Sequence, residues 1–504
     1  SEIEKPVVEF TAIVLAGPGI RLYPLSEPEN SPKALNPIAG KPMIWYVLNW
    51  LESEGVYDIH IVTIKRDEAP ISSYIHEVYD GSAKIVINAL DEYYGTAEAS
   101  DFIVASTDAI LDIPRYHYLD LFRLHRPDAS CILLQEPPSE GGGGSVREDE
   151  VKRYFAIDQQ TSDLVYVKDD NTEQDSLMMR MSVLKKHPLL TISNNFLDLH
   201  VYVFRQWILE YLNDHTEISS IGYDLIPKLA RMKRVPKKRT IPSPGSSHNS
   251  ALSTSKSAYG IDGPTDSNEL NPSYSYTSTK GSSKPGSDVY YRYFNPYQTS
   301  FDDYGSINSK FDGDNLYGAN KSMFFLQNSS DPSKPISNAD LSKLLQVRVF
   351  AYVRRGGVGG RANTINRYCD LNKLVSRIYT GNRIGSLAEV SSKSQIAPDS
   401  LVGTSTKIKD RCQIKKSVIG AHCSIGNNVK LTNCVIHDYA VIEDNAKLES
   451  TVVCRQAKIG SKSFLKECEV GPQASVPSNT TAKSEQFLRS NNEFGTDGVQ
   501  IKFT

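Results

Sequence analysis

Val402 to Val476 reads VGTSTKIKDRCQIKKSVIGAHCSIGNNVKLTNCVIHDYAVIEDNAKLESTVVCRQAKIGSKSFLKECEVGPQASV. Its aliphatic residues fall on a ladder. Val402, Ile419, Ile436, Val453 and Val470 recur every 17 residues. Ile408, Ile425, Ile442, Ile459 and Val476 keep the same period, as do Ile414, Leu431, Leu448 and Leu465. An amphipathic helix or an alternating strand does not generate three interleaved registers. A triangular coil does: three short strands form three flat faces, each face places one aliphatic inward, and stacked coils build columns. Ile384, Val390 and Ile396 carry the ladder upstream in steps of six. The expected element is a left-handed parallel β-helix over residues 384–480, a rod about 25 Å long at the usual strand spacing.

Small and turn-forming residues are expected at its corners: Gly403, Gly420, Gly426, Asn427, Asn428, Gly460 and Gly471. Some β-helices are acyltransferases with a histidine base, and His422 and His437 lie in the coils. No long loop interrupts the repeat to wall off a substrate, so both histidines are expected at corners or on the surface. The last coil would expose unpaired backbone groups, an edge that invites docking unless it is capped.

The whole chain has 504 residues, a net charge of −3 and 39% hydrophobic residues. That length suggests two to four domains. The charge balance calls for neither a nucleic acid nor an acidic membrane as partner. The first residues, SEIEKPVVEF, contain no secretory leader, and no apolar run approaches the ~18 residues of a membrane span. Of seven cysteines, Cys412, Cys423, Cys434, Cys454 and Cys468 fall in the repeat, and none forms a CxxC pair. Buried, reduced thiols in a cytosolic or nuclear protein are expected rather than a zinc site.

Phe10 to Ala16, FTAIVLA, reads as a buried strand running into Gly17-Pro18-Gly19 and then Ile20-Arg21-Leu22. A glycine loop after the first strand is a natural phosphate cradle, because its N–H groups can point inward. Pro42 is expected in the first turn of a helix whose Ile44, Val47, Leu48 and Leu51 share a face and which Gly55 ends. A strand from Ile59 to Ile64 follows, which gives the strand–loop–helix–strand start of a mainly parallel sheet. Gly95-Thr96 forms a second tight turn, and the strand Phe102 to Ala105 ends at Thr107-Asp108. A carboxylate there lies at the ligand crevice of an open α/β sheet, where it could hold a divalent metal. Read without that chemistry, Arg21 and Lys33 are solvated or ion-paired charges, Asp108 caps a loop, and the glycines only turn the chain.

LAGPGIRLYPL, PKALNPIAGKP, GTAEA and the strand-end Asp108 together resemble the sugar-nucleotide pyrophosphorylases, over roughly residues 10–235 and 345–476. The resemblance implies a Rossmann-like nucleotidyltransferase domain followed by the β-helix. It also implies that Arg21 and Lys33 face triphosphate oxygens, that Gly95-Thr96 lies near the nucleoside, and that Asp108 holds Mg²⁺. The family's glycine loop, however, has Gly-x-Gly-Thr between Leu-Ala-Gly and Arg-Leu. Here only Pro18, Gly19 and Ile20 stand there. Proline has no N–H to donate, and phosphoryl transfer depends on preplaced donors. The pocket of Gly17, Gly19, Arg21, Lys33, Gly95, Thr96 and Asp108 therefore reads as vestigial, with no catalytic residue, metal or cofactor. Asp108 would hold Mg²⁺ only if the chain were an active pyrophosphorylase, such as a mannose-1-phosphate guanylyltransferase.

PKALNPIAGKPMIWYVLNWLESEGV, the strand Phe196 to Phe204 (FLDLHVYVF) and Arg361 to Tyr368 (RANTINRY), leading to Asn372-Lys373, resemble the gamma subunits of eukaryotic translation initiation factor 2B. That resemblance implies a cytosolic, non-catalytic subunit of a guanine-nucleotide exchange complex. Its partners would be an epsilon subunit, alpha, beta and delta regulatory subunits, and translation initiation factor 2. The helical exchange domain belongs to epsilon, and the polar stretch after Val476 is not expected to supply one.

Between residues 240 and 340 there are 22 serines and nine tyrosines but only nine Val, Ile or Leu. So few aliphatics do not offset chain entropy, and disorder is expected over 241–340. The basic run from Lys228 to Arg239 leaves RNA open as a partner, although a solvated helix end is the plainer reading. The expected organisation is a first domain part over 8–240, the insert, a closing part over 341–380, the β-helix and a polar tail over 481–504. Gly141 to Gly144 marks a further flexible loop.

Overall fold

A computed structural model describes residues 9–27, 29–89, 101–135, 153–169, 179, 181–232, 347–489 and 499–502. The serine-rich insert, the Gly141–Gly144 loop, the Gly95-Thr96 turn and the basic run beyond Met232 lie outside the described residues. Residues 1–232 and 347–504 form one compact unit.

The N-terminal part is built on strands β1 (Phe10–Ala16), β2 (Asp58–Thr63), β3 (Lys84–Ala89), β4 (Asp101–Ser106), β5 (Ala129–Gln135), β6 (Phe196–Phe204) and β7 (Val349–Arg355). They make one seven-stranded sheet in the order β7-β5-β6-β4-β1-β2-β3. β6 alone runs against its neighbours β4 and β5, and every other pairing is parallel. The mainly parallel sheet read from the sequence is therefore present. β1 lies inside the sheet between β4 and β2, and Ala12 and Val14 have no exposed surface. Phe10, Ala12, Val14 and Ala16 form its fully buried face, whereas on the other face Ile13 is half-buried and Leu15 is 38% exposed.

Helix α1 (Met43–Ser53) buries Ile44, Val47, Leu48 and Leu51 completely. Pro42 is not in its first turn but is the extended residue before it, with ψ 145°. Pro42 instead pairs with Pro37 in a two-residue hairpin. Gly55 follows the helix at φ 83°, a left-handed stop that glycine adopts without a Cβ penalty. Helices α2 (Lys65–Glu77) and α3 (His117–His125) complete the first half, and α4 (Ile365–Ile378) closes the domain. Thr364 caps α4 by accepting from the Arg367 N–H.

The β-helix has three sheets. The first runs from Glu389–Val390 to Ser475–Val476, the second from Gln395–Ile396 to Thr481–Lys483, and the third from Leu401–Val402 to Glu485–Leu488. The 17-residue register holds from coil to coil, as in Ile419↔Ile436↔Val453↔Val470. The columns are buried, and so are the five cysteines of the repeat, all of them free thiols. Two features differ from the sequence reading. The coil continues past residue 480, because Ala482 and Phe487 take the places below Leu465 and Val470. Neither is a Val, Ile or Leu, so the ladder does not reveal them. The tail then returns as an antiparallel strand, Val499–Lys502, against Glu485–Leu488, so the third sheet's terminal edge is paired.

The corners also differ. Left-handed φ values fall on Ser405, His422, Tyr439, Gln456 and Gln473 along one corner, with similar columns along the other two. Of the residues expected there, only Asn428 has such a φ, 56°. The glycines serve inter-coil contact instead. A Cβ on Gly420 would lie 2.7 Å from the Asp438 nitrogen, and one on Gly403 would lie 2.6 Å from the Ala421 nitrogen.

The third sheet is apolar on its outer side as well. Leu401, Val418, Val435 and Val452 point away from the columns and share a buried cluster with Tyr368, Leu371 and Val375 of α4 and with Leu22, Leu25 and Met43. The sequence signature is the doubled aliphatics LV, VI, VI and VV at 401–402, 418–419, 435–436 and 452–453. At about 25 cal/mol per Å² of apolar surface removed from water, such a face favours a fixed docking. His437 lies in this junction, 4% exposed, so it is not the surface residue expected. Its Nε2 is 2.9 Å from the Tyr368 hydroxyl and its Nδ1 is 3.4 Å from Asn30 Nδ2. His422 is at a corner as expected, stacked on Tyr439.

Candidate functional site

The site begins where β1 ends. Gly17 is exposed with open space around it, and Gly19 turns left-handed at φ 72°. A Cβ on Gly19 would lie 2.8 Å from the Cβ of Lys33, so the glycine lets the lysine stem lie against the loop. A short 3₁₀ turn, Ile20–Leu22, follows, its Leu22 N–H donating to the Gly19 carbonyl at 2.8 Å. Ile20, at the place of the family's threonine, is 80% exposed.

Lys33 crosses to the end of β4. Its Nζ donates to Asp108 Oδ2 at 2.6 Å, and Asp108 has no exposed surface. Arg361 binds the same carboxylate, its Nη2 donating to Oδ2 at 3.1 Å and its Nε to Oδ1 at 3.3 Å. A two-residue pairing holds it there: Gly360-Arg361 runs antiparallel to Ala109-Ile110, and the Ala362 N–H donates to the Asp108 carbonyl. Burial opposes the carboxylate's charge, but Lys33 and Arg361 outweigh it and hold Asp108 well below the usual carboxylate range.

A second charged cluster adjoins the first. β6 bulges between Asp198 and Tyr202, and His200 takes a left-handed φ of 52° there. Asp198 accepts from the Tyr202 hydroxyl at 2.7 Å and lies 3.7 Å from Arg153, which also binds Asp169 and the Gly222 carbonyl. Burial pushes His200 below its usual range, with the opposing charges of Asp198 and Arg361 acting on it.

Of the residues singled out from the sequence, the structure brings together Gly19, Lys33 and Asp108. Gly17 lies at the mouth of the loop. Arg21 is exposed and makes no ion pair among the described residues, so it does not converge on Asp108. Gly95 and Thr96 lie outside the described residues. Arg361 was legible only as part of RANTINRY. Its contact spans 253 residues of sequence, and nothing local signals it.

Two cations on one buried carboxylate leave the cluster net positive. A divalent ion would have to displace one of them against like charge, and Asp108 is left with little free lone-pair capacity. Among the described residues no group of three or more His, Cys, Asp or Glu could hold a metal. The residues present therefore do not fit Mg²⁺ at Asp108. No described helix is long and apolar enough to cross a membrane.

Fold and site together define a nucleotidyltransferase-type domain joined to a left-handed β-helix. Residues 11–114 match the nucleotidyl transferase family, and residues 376–482 match the β-helix domain described for the epsilon subunit of eIF2B. Curated relatives include gamma subunits of translation initiation factor eIF2B. The chain is 34% identical to that of Schizosaccharomyces pombe over 242 residues, 46% of this chain and 53% of the relative. It is 23% identical to that of Dictyostelium discoideum over 435 residues, 78% of this chain and 82% of the relative. The bifunctional protein GlmU of a Nitratiruptor species is 26% identical over 196 residues, 37% of this chain and 43% of that protein. The chain thus spans about half the length of its Schizosaccharomyces relative. The resemblance to gamma subunits read from PKALNPIAGKP and FLDLHVYVF holds along most of the chain.

Proposed function

We propose that the chain is a supporting subunit of the guanine-nucleotide exchange complex that restores GTP on translation initiation factor 2. In this reading it pairs with an epsilon subunit, joins alpha, beta and delta subunits in the cytosol, and carries out no phosphoryl transfer itself. The observation that carries the reading is likeness to a gamma subunit over 78% of the chain. The neutralised Asp108 supports the absence of metal-dependent chemistry, as does Pro18 in place of a loop N–H donor. No cofactor is called for.

The alternative is an active sugar-nucleotide pyrophosphorylase, favoured by the nucleotidyl transferase match over 11–114. Affinity purification of the tagged chain separates the two. Recovery of four distinct partner subunits, with no pyrophosphate released from GTP or UTP plus sugar phosphate, is the expected result. A lone homo-oligomer that releases pyrophosphate would overturn it.

A further inference from the structure

The outer faces of the β-helix are not alike. The third sheet is apolar and covered by the N-terminal part. On the first sheet and the loops beside it, lysines meet acids: Lys407 pairs with Glu389 at 3.2 Å, Lys458 with Glu443 at 3.0 Å and Lys393 with Asp410 at 3.1 Å. The second sheet breaks this pattern. Its outward positions form two columns, Gln413-Lys430-Lys447-Phe464-Thr481 and Lys415-Thr432-Glu449-Lys466-Lys483. Five lysines face one glutamate, and among the described residues only Lys447 of the five is ion-paired, 2.8 Å from Glu449.

Like charges directly opposite on neighbouring strands repel. Lys430 stands over Lys447, and Lys466 over Lys483, one strand spacing of about 4.8 Å apart. Within a strand, outward residues two apart lie about 6.6 Å from one another. The result is a flat grid of cations in a chain whose net charge is −3. Phe464 sits half-exposed within this grid, with Lys447 Nζ 4.7 Å from its ring centre. Lysines that track a backbone, around an aromatic ring on which a base can stack, are the two ingredients of single-strand recognition. An acidic protein segment would use the lysines but would gain little from the ring.

We propose that the outer face of the second sheet binds single-stranded nucleic acid, lysines to phosphate and Phe464 to a base. This goes beyond the exchange-complex reading and does not depend on it. The test is fluorescence anisotropy of a labelled 20-nucleotide poly-U RNA with the full chain, alone and with its co-purifying subunits. With about five phosphates neutralised, log K should fall with log salt at a slope of roughly −3.5. Lys430→Glu, Lys466→Glu and Lys483→Glu together should weaken binding at least about tenfold. The uncharged set Lys430→Ser, Lys466→Ser and Lys483→Ser should weaken it less and provides the reading if the reversal fails to fold. Phe464→Ala should weaken binding about fivefold and leave the salt slope unchanged. Equal losses from Lys407→Glu with Lys458→Glu would overturn the proposal, because they would show a response to net charge and not to this face. Absence of RNA binding, indifference to all the second-sheet variants, or tighter binding of polyglutamate than of RNA would overturn it as well.

Discussion

Lys33 Nζ lies 2.6 Å from Asp108 Oδ2, and the aspartate it meets is wholly buried. The loop residue Gly19 leaves the space for the lysine stem, and Arg361 completes the clamp. Two segments that would face a triphosphate in a pyrophosphorylase are here tied to each other.

Removing one cation leaves Asp108 with the other. Lys33→Ala should therefore destabilise the chain by roughly 2 kcal/mol, read from urea denaturation. Under the proposed function it should leave nucleotide exchange by the assembled complex nearly unchanged. A large loss of exchange at equal folded fraction would instead assign the pocket a regulatory ligand. The pH dependence has a fixed sign, because the folded-state value of Asp108 is depressed. Its contribution is fully present above the unfolded value near ~3.9 and is lost as pH falls through the folded one. The stability gap between the native chain and Asp108→Asn should hold from pH 7 to about 5 and shrink below about 4.

His437 titrates the junction between the domain and the β-helix. Burial lowers it to about 4, with Asp438 raising it and Arg455 lowering it. Nδ1 faces the Asn30 amide nitrogen, itself a donor, and the Tyr368 hydroxyl donates to the Pro37 carbonyl, so Nε2 carries the proton and donates to Tyr368. Below the unfolded value of ~6.5 the unfolded chain binds a proton that the folded one refuses. Stability should therefore fall as pH drops from about 6.5 towards 4, by up to about 3 kcal/mol. His437→Gln should be less stable at pH 7.5 and flatter across that window in thermal melts.

Gly420→Ala should cost about 1–3 kcal/mol, because its Cβ would meet the backbone of the next coil. Asn428→Ala, at a left-handed φ of 56°, should cost less, about 1 kcal/mol. Chemical denaturation of the two variants side by side distinguishes close coil contact from corner conformation.

Val435→Asp places a carboxylate in the apolar cluster beside Tyr368 and Leu371. Uncoupling of the β-helix from the domain is expected, seen as two separate melting transitions where the native chain shows one. Val435→Ala should keep one transition at a lower midpoint.

Periodicity alone determined the β-helix. Each coil repeats one local pattern, so Val402, Ile419 and Ile436 declare their shared column without knowledge of the rest of the chain. The doubled aliphatics of the third sheet stand in the sequence, but the inward ladder passes over their outer members, and what covers them is not written locally. β1, α1 and the strand-end Asp108 were also readable, because each depends on a short window. The ladder hid the last coil, where Ala482 and Phe487 fill positions that elsewhere hold Val, Ile or Leu.

Tertiary structure decided the state of the site. Glycines at coil contacts cannot be told from glycines at corners by type, because the difference is which backbone passes overhead. Lys33 could have been a phosphate ligand or a solvated charge. It became an ion pair because β4 delivers Asp108 to it and a two-residue strand 253 positions away delivers Arg361. His437 was one of two histidines in a repeat, and only the packing of α4 on the third sheet buried it. Local pattern specifies elements, while the charge state of a buried group depends on neighbours that sequence separation conceals.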